Sequence, residues 1–486
     1  MRKDKVSIII PVFNHKQYLE ACIESAIKQT YNNIEIVIID DCSSQPEVTT
    51  ILDEFKKYDF VKIFRNDKNM GISRTQNRCI QESTGELIAF LDCDDLLLPD
   101  AIEKSLEYWT EETRYSFSNR IHIDESNKEF ERFSSDEEAQ IDIFGEHLNV
   151  YMYASHLKII RRDVFLLVGL FNPDHDGAQD YDMLLRIAFH FPRIIFAHVP
   201  EFVYKHRIHR RQMSKITQEV AMERAIKISN ESKLRKAIRS GIYDRYVIIM
   251  LLVEAGKEHL AAKCMELIQH TVAIPHKVCI FQRDDERKAW MRYIGTNTYF
   301  ILLDVDIEVM PGWIEELLVR AAEGVDIASV SCRVVARDGR VRSVGGVAEV
   351  TEGRTRFAPM HYGDSLANME TLERQDTDWN PSWAVLYKGW FSELDGDAYT
   401  YDGGLASIRL RLNNKRLVNA PNTLLLQDSL VARTQHQNPL EVMAAFARLY
   451  LETGIIVDDP DAYARAGYDT AQMANDEIGW MLRNLP

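Results

Sequence analysis

The sequence predicts an α/β protein: a mostly parallel, twisted sheet flanked by helices, present in two tandem copies. Three observations predict it. Short β-type runs alternate with stretches of helical period through residues 6–110, the pattern of parallel strands joined by crossover helices. Two of the runs end abruptly on acids, Ile34–Ile39 at Asp40-Asp41 and Leu87–Leu91 at Asp92. From residue 241 onward, a second set of runs echoes the order of the first.

Each element follows in order. Val6–Phe13 is a β-type run. Asn14 is placed to cap a helix, with Gln17 as its capping-box partner. Leu19, Cys22, Ile23, Ala26 and Ile27 then recur at helical spacing. Ile34–Ile39 and Val61–Phe64 read as the next strands, a helix runs through Gln76–Glu82, and Leu87–Leu91 is a fourth strand. The acid-rich stretch Glu111–Phe144 reads as an excursion from this frame, His156–His209 as a further strand–helix region, and Thr217–Ser240 as a charged connecting helix.

The echo starts at Tyr246–Met250, followed by a helix over Lys257–His270 and a strand over Val278–Phe281 that runs into Asp284-Asp285. Leu302-Leu303-Asp304-Val305-Asp306, with Pro311 and Ile314, matches Phe90-Leu91-Asp92-Cys93-Asp94, with Pro99 and Ile102, at constant offset. The expected organisation is therefore a first domain over 1–216, a helical linker over 217–240, a second copy over 241–438 and an acidic helical tail over 439–486.

Composition narrows the function classes. In 486 residues, 46% are hydrophobic and 27% charged, as in soluble globular proteins with substantial cores. A net charge of -16 argues against nucleic acid as a partner. No apolar run approaches the ~20 residues of a membrane helix, and Met1–Lys5 leads into a β-type run rather than a signal peptide. The reading is a cytoplasmic protein, with peripheral attachment at the inner face of the plasma membrane and oligomerisation left open. Seven scattered cysteines without a C-x-x-C pair read as buried, reduced thiols.

Asp92-Cys93-Asp94-Asp95 is the sharpest chemical feature. Carboxylates crowded into one turn after a buried strand repel unless a cation neutralises them. A divalent metal with oxygen ligands does so, and a diphosphate completes its shell. The alternative is a solvated acidic turn in which Asp95 caps the next helix.

The neighbours of this turn decide between the two. Ser7–Asn14, then Asp40-Asp41-Cys42-Ser43, then Asn69-Met70-Gly71, then Gly85–Asp95 resemble in order and spacing the inverting family 2 glycosyltransferases of GT-A fold, over about residues 5–110. A looser match continues through Val168–Phe171, Gln179-Asp180-Tyr181-Asp182, Leu185-Arg186, and Tyr204–His209 with Ser214. The resemblance implies roles by position. Pro11 and Phe13 line the base pocket, Asp41 accepts the uracil N3–H with Asn69 nearby, Asp92 holds the ribose and Asp94 the metal, Mn²⁺ or Mg²⁺. Asp180 matches the family's catalytic Asp, with Gln179 in place of Glu, and Asp182 is the alternative base. Where the family often has Arg-Asn, this chain has Gln76-Asn77, so Arg74 is the candidate to supply the charge on the diphosphate. His209 is a candidate further metal ligand, and Arg207, in the basic run Lys205–Arg211, a candidate diphosphate contact.

The implied activity is transfer of a sugar, with inversion, from a UDP- or dTDP-sugar to a hydroxyl of a glycan or lipid-linked acceptor. The second copy is degenerate. Gly403 falls at the place of Asp180 and, on the simplest alignment, Arg283 at that of Asp41, where a shift of one residue would bring Asp284 instead, while Asp304 and Asp306 keep theirs. A structural or acceptor-binding relic is the expectation, and a second active site in a bifunctional polysaccharide polymerase is the rival. Readings from other classes are a catalytically inactive carbohydrate-binding scaffold and a nucleotidyltransferase.

Overall fold

The computed structural model describes residues 4–136, 152–192, 195–209, 212, 218–243, 246–253, 256–282, 298–351, 354–360, 364–365, 372, 375–377, 384–389, 404–427 and 456–457. The chain divides into two compact units, residues 1–233 with 367–373, and residues 234–366 with 374–486.

The first unit is built on β1 (Val6–Val12), β2 (Ile34–Asp40), β3 (Val61–Arg65), β4 (Leu87–Phe90), β5 (Leu96–Leu97), β6 (Tyr115–Ile123), β7 (Glu129–Phe133), β8 (His156–Arg161) and β9 (Phe196–Arg207). Its helices are α1 (Lys16–Ile27), α2 (Pro46–Phe55), α3 (Ile72–Glu82), α4 (Ala101–Glu107), α5 (Arg162–Val168) and α6 (Gln179–His190). β1 is buried along its whole length, and the strand period of two sends its side chains to opposite faces. Ile8 and Ile10 pack with Leu19, Cys22 and Ile23 of α1. Ile9 packs on the other face with Cys79 and Ile80 of α3. Burial of each such side chain contributes roughly 1.5–3 kcal/mol, so a continuous apolar run is stable only with helices on both sides.

The strand order is β3-β2-β1-β4-β8-β6-β9-β5, with β7 beside β6. β2, β1 and β4 are parallel neighbours, as expected. The sheet as a whole is mixed, which corrects the mostly parallel expectation: β8 runs antiparallel to both β4 and β6. Strands alternate with helices from β1 through β4, and the short β5 is followed by α4. Beyond it, β6, β7 and β8 follow without a crossover helix among the described residues, and such strands can enter from the opposite end. The expected excursion over Glu111–Phe144 is also corrected, because it contains β6, seven of whose nine residues are buried. Nor does Asn14 cap α1. His15 takes the N-cap position in a left-handed conformation with no side-chain cap, and Asn14 Oδ1 accepts hydrogen bonds from Ser44 N (3.0 Å) and Gln45 N (3.3 Å).

α7 (Gln218–Arg239) is the expected charged helix. The second unit contains β10 (Val247–Val253), α8 (Glu258–Thr271), β11 (His276–Gln282), β12 (Tyr299–Asp304), β13 (Ile307–Val309), α9 (Trp313–Ala322), β14 (Ile327–Ala336), β15 (Val341–Ser343), β16 (Gly346–Thr351), β17 (Arg354–Pro359), β18 (Asp376–Thr377), β19 (Ala384–Lys388), α10 (Gly404–Leu412), β20 (Arg416–Gln427) and β21 (Ile456–Val457). Its main sheet runs β11-β10-β12-β19-β14-β20-β13, and β16-β17-β21 form a small separate sheet. From β2 and from β11, the two main sheets show the same succession of pairings: parallel, parallel, antiparallel, antiparallel, parallel, antiparallel. Apart from β21, the expected tail over 439–486 lies outside the described residues, as do Arg283, Asp284, Asp285 and Gly403.

Candidate active site

The loops beyond the carboxyl ends of β1, β2 and β4 lie where ligands bind in open α/β sheets. Pro11 is buried within β1, and Phe13, just past its end, is 42% exposed. An aromatic ring left in solvent at a strand end is available for stacking. Asp41 is 3% exposed. Its Oδ1 accepts from Asn66 Nδ2 (2.7 Å) and Met70 N (2.8 Å), and its Oδ2 from Gly71 N (3.0 Å). The carboxylate therefore fixes the loop that leads into α3. Gly71 has φ +86, and a Cβ there would stand 2.4 Å from Asp176 Oδ2, so two constraints require glycine. Asp176 Oδ1 accepts from Ser73 N at the start of α3 (3.0 Å). Asn69 is exposed, its Oδ1 accepting from Gly71 N (3.2 Å). Arg74 is exposed on the first turn of α3. Asn77 clamps Phe171 through its N–H and carbonyl (2.9 and 3.0 Å).

The acidic turn gives its members different environments. Asp95 is 1% exposed and holds the end of β9, accepting from Tyr204 Oη (2.8 Å), His206 Nδ1 (3.1 Å) and Arg207 N (2.7 Å). Burial still pushes its carboxyl upward against the help of His206. Asp94 Oδ2 lies 2.8 Å from His209 Nε2. Burial opposes its ionisation, but His209 and His15 outweigh burial and hold it below the usual carboxylate range. Asp92 is pushed up to about 7 by burial and by Asp95, with Lys158 opposing and Asp94 and Asp180 adding to the rise. A carboxyl raised this far by burial and by neighbouring acids marks a site short of positive charge.

Ligand atoms of His15, Asp94 and His209 all lie within 4.8 Å of one another. The His15 and His209 rings meet edge to face at 5.2 Å, and Tyr18 lies 5.2 Å from His209. Two imidazoles and a carboxylate beside a second carboxylate fit a divalent transition metal; the imidazoles favour Mn²⁺ over Mg²⁺. Asp95, His156 and His206, and His175, Asp182 and Glu231, are the other groups of this kind among the described residues.

Arg207 departs from expectation. It is 1% exposed and donates from Nε to the Asp94 carbonyl (2.7 Å) and from Nη1 to the Asp124 carbonyl (3.0 Å). Its guanidinium also covers the Tyr18 ring at 4.4 Å. It thus braces the turn that carries Asp94.

Asp180 opens α6, its side chain 28% exposed. Its Oδ2 pairs with Lys158 Nζ at 2.6 Å, and its Oδ1 is enclosed with no hydrogen-bond partner among the described residues. Lys158, on β8, is nearly buried and lies 5.3 Å from the Phe90 ring. Asp182, the alternative base, is 1% exposed, pairs with Arg186 (2.8 Å), and faces His175 (3.4 Å). A carboxylate held inside by a buried arginine organises the helix. His175 is pushed up to about 9: burial opposes its charge, and Asp182 and Glu231 outweigh it.

The structure thus gathers Asp92, Asp94, His209 and Asp180 at one end of the sheet. The sequence reading missed Lys158 and His15. Lys158 left a signal, a lone charge inside the apolar run Leu157–Ile160. His15 left none, because its role depends on the left-handed bend after β1.

The model of the family described as "Glycosyl transferase family 2" matches residues 7–167. Chondroitin synthase of Escherichia coli is 29% identical over 240 residues, 49% of this chain and 34% of that protein. The O-antigen biosynthesis protein RfbC of Myxococcus xanthus is 20% identical over 492 residues, 89% of this chain and 38% of its own length. The chain therefore spans about a third of the length of these relatives. Among solved structures, S. aureus TarS 1-349 in complex with UDP-GlcNAc superposes with a TM-score of 0.40 at 16% identity, covering 47% of this chain and 66% of that one.

Proposed function

We propose that this chain, whose residues 7–167 belong to glycosyl transferase family 2, moves a sugar from a UDP- or dTDP-sugar to a hydroxyl of a glycan or lipid-linked acceptor, with inversion. The observation that carries the reading is the convergence of an exposed aromatic, a carboxylate–imidazole cluster and a lysine-held carboxylate on one end of the sheet. Phe13 stacks on the base, and Asp41 Oδ2, which accepts a hydrogen bond from Gly71 N, takes a second from the N3–H. Asp92 holds the ribose. His15, Asp94 and His209 hold Mn²⁺, which when bound neutralises diphosphate charge. Asp180 receives the proton of the acceptor hydroxyl as its oxygen forms the bond to C1. The C1–O bond to the diphosphate breaks, and its electron pair leaves with the diphosphate oxygen. Lys158 fixes the orientation of Asp180 without competing for Oδ1.

The second unit belongs to this reading as a tandem copy of the first, a domain over 241–438 after a linker over 217–240. Its support is the shared succession of strand pairings together with the offset that lays Asp304 and Asp306 on Asp92 and Asp94.

A thermal-shift titration tests the nucleotide and metal parts together, since a ligand of the native state raises the melting temperature by mass action. UDP with Mn²⁺ is expected to stabilise the wild type and Asp180→Asn alike, and to leave Asp94→Asn unmoved. Equal stabilisation by UDP in excess EDTA would refute the metal role. No response to UDP or to dTDP under any condition would refute the donor class.

A further inference from the structure

The second unit carries the same pair of acids as the first but surrounds them differently. In the first sheet Val6 of β1 is in register with Leu87 of β4. In the second sheet Val247 of β10 is in register with Tyr299 of β12. Superposing these pairs sets Asp304 on Asp92 and Asp306 on Asp94. The helix after the first strand is α1 in one unit and α8 in the other, and their N-cap residues are His15 and Lys257. In the first unit His15 faces Asp94 as part of a group able to hold a metal. In the second, Lys257 Nζ stands 3.0 Å from Asp306 Oδ2, and Gln427 Nε2 donates to the same oxygen at 3.3 Å. All metal-competent groups among the described residues lie in the first unit.

We infer that the Lys257 ammonium occupies in the second unit the place that a divalent cation takes in the first, so that this unit is built to work without a metal. The chemistry is direct. A carboxylate 8% exposed needs a cation beside it, and an ammonium is a compact point charge that supplies one. An ammonium cannot share the site with a metal ion, because like charges at that distance repel and lysine offers a metal no lone pair while protonated. The donor set completes the mismatch: the imidazole of His15 is replaced by lysine, and the amide of Gln427 donates to the carboxylate from its N–H face. Where Lys158 pairs with Asp180 in the first sheet, the register places Val385 in the second, so the partner that holds the base is missing too. Whatever ligand this end of the second sheet takes, it takes without a divalent cation.

The inference rests on the proposal that Asp94 holds Mn²⁺, and counting Mn²⁺ on the full chain by electron paramagnetic resonance keeps the two apart. The expected result is one ion per chain in the wild type and none in Asp94→Asn. Lys257→Ala is expected to gain an additional ion that Asp306→Asn removes. Lys257→Gln, which keeps a polar side chain there, should gain it as well and covers the case in which the alanine variant does not fold. In Lys257→Ala the lost melting temperature should be recovered by Mn²⁺, an effect absent from the wild-type second unit. A wild-type ion lost in Asp306→Asn but kept in Asp94→Asn would overturn the inference. So would Lys257 variants that fold and gain no Asp306-dependent ion. A wild type in which no ion depends on Asp94 would instead overturn the reading of the first unit, leaving the lysine variants to decide the second.

Discussion

The turn after β4 and the turn after β12 begin from the same sequence idea, two aspartates separated by one residue past a buried strand. In the first unit Asp92 is driven up to about 7 by burial and by neighbouring acids, and the partners of Asp94 are the imidazoles of His209 and His15. In the second, Lys257 closes the account internally. Crowded carboxylates signal a ligand only where the fold withholds a cation of its own. Around the base the contrast reverses: Lys158 of β8, which holds Asp180, is matched by Val385 of β19.

The largest effect expected of this contrast is at Asp94. Removal of metal by EDTA, or Asp94→Asn, should take donor turnover below detection, with activity of the wild type restored by Mn²⁺. A bound cation supplies several kcal/mol of charge stabilisation, roughly 10³-fold or more in rate. Steady turnover in excess chelator would erase the distinction between the two turns. Next is Asp180→Asn, which keeps the shape and removes the proton acceptor. The expectation is a fall in kcat of roughly 10²–10⁴-fold, with calorimetric affinity for UDP and Mn²⁺ near wild type. Asp182→Asn should show itself in stability, since it strips Arg186 of its buried partner; a larger loss of kcat from Asp182→Asn in a folded protein would exchange their roles. Lys158→Met should act through Asp180 and lower kcat by roughly tenfold, about 1.4 kcal/mol. Its KM for donor should stay unchanged, and Lys158→Arg should recover kcat. A KM that rises in step with the fall in kcat would make Lys158 a packing residue only.

His175 sharpens the comparison through pH. Its folded-state value of about 9 lies above the ordinary 6.5 because Asp182 and Glu231 outweigh burial. A raised imidazole contributes stability that is complete below pH 6.5 and disappears as pH rises through about 9. The amount is on the order of 3 kcal/mol. The melting temperature of the wild type should therefore decline between pH 7 and 10, and His175→Gln should flatten that decline while lowering stability at neutral pH. An identical slope in the variant would mean that the His175 cluster does not carry the charge.

How far this was legible from sequence depends on where each residue's constraint lies. β1, β2 and β4 are continuous apolar runs whose ends are marked by acids, so strand and site could be read together. β6 was hidden because its buried Ser116, Ser118 and Asn119 look like loop residues until the sheet engages them; Ser118 Oγ, for example, accepts from Leu157 N at 2.6 Å. Arg207 looked like a phosphate contact because it sits in a basic run, yet its burial depends on Tyr18 and two main-chain carbonyls distant in sequence. Asp180 and Asp182 differ by two positions on one helix, and only helical geometry separates the one paired with Lys158 from the one turned inward to Arg186. Lys257 was placed at a helix start without any hint that it would face Asp306.

The smallest expected effect is the most informative about the second unit. Asp306→Asn removes a charge that Lys257 and Gln427 already compensate, in a unit whose sequence has Gly403 at the place of Asp180 and, on the simplest alignment, Arg283 at that of Asp41. Glycine has no side chain to accept a proton, and arginine cannot accept a hydrogen bond. Donor turnover by the first unit should therefore stay within about twofold of wild type, less than 0.5 kcal/mol on the barrier. The variant leaves Lys257 beside a neutral amide, so some loss of melting temperature is expected, and turnover should be measured well below the transition. Point substitution is preferable to deleting residues 241–486, because apolar surface exposed by deletion would promote aggregation for reasons unrelated to chemistry. If Asp306→Asn instead halts glycan elongation after a single sugar while the first transfer survives, the second turn takes part in transfer without a metal, and the chain is a two-site polymerase.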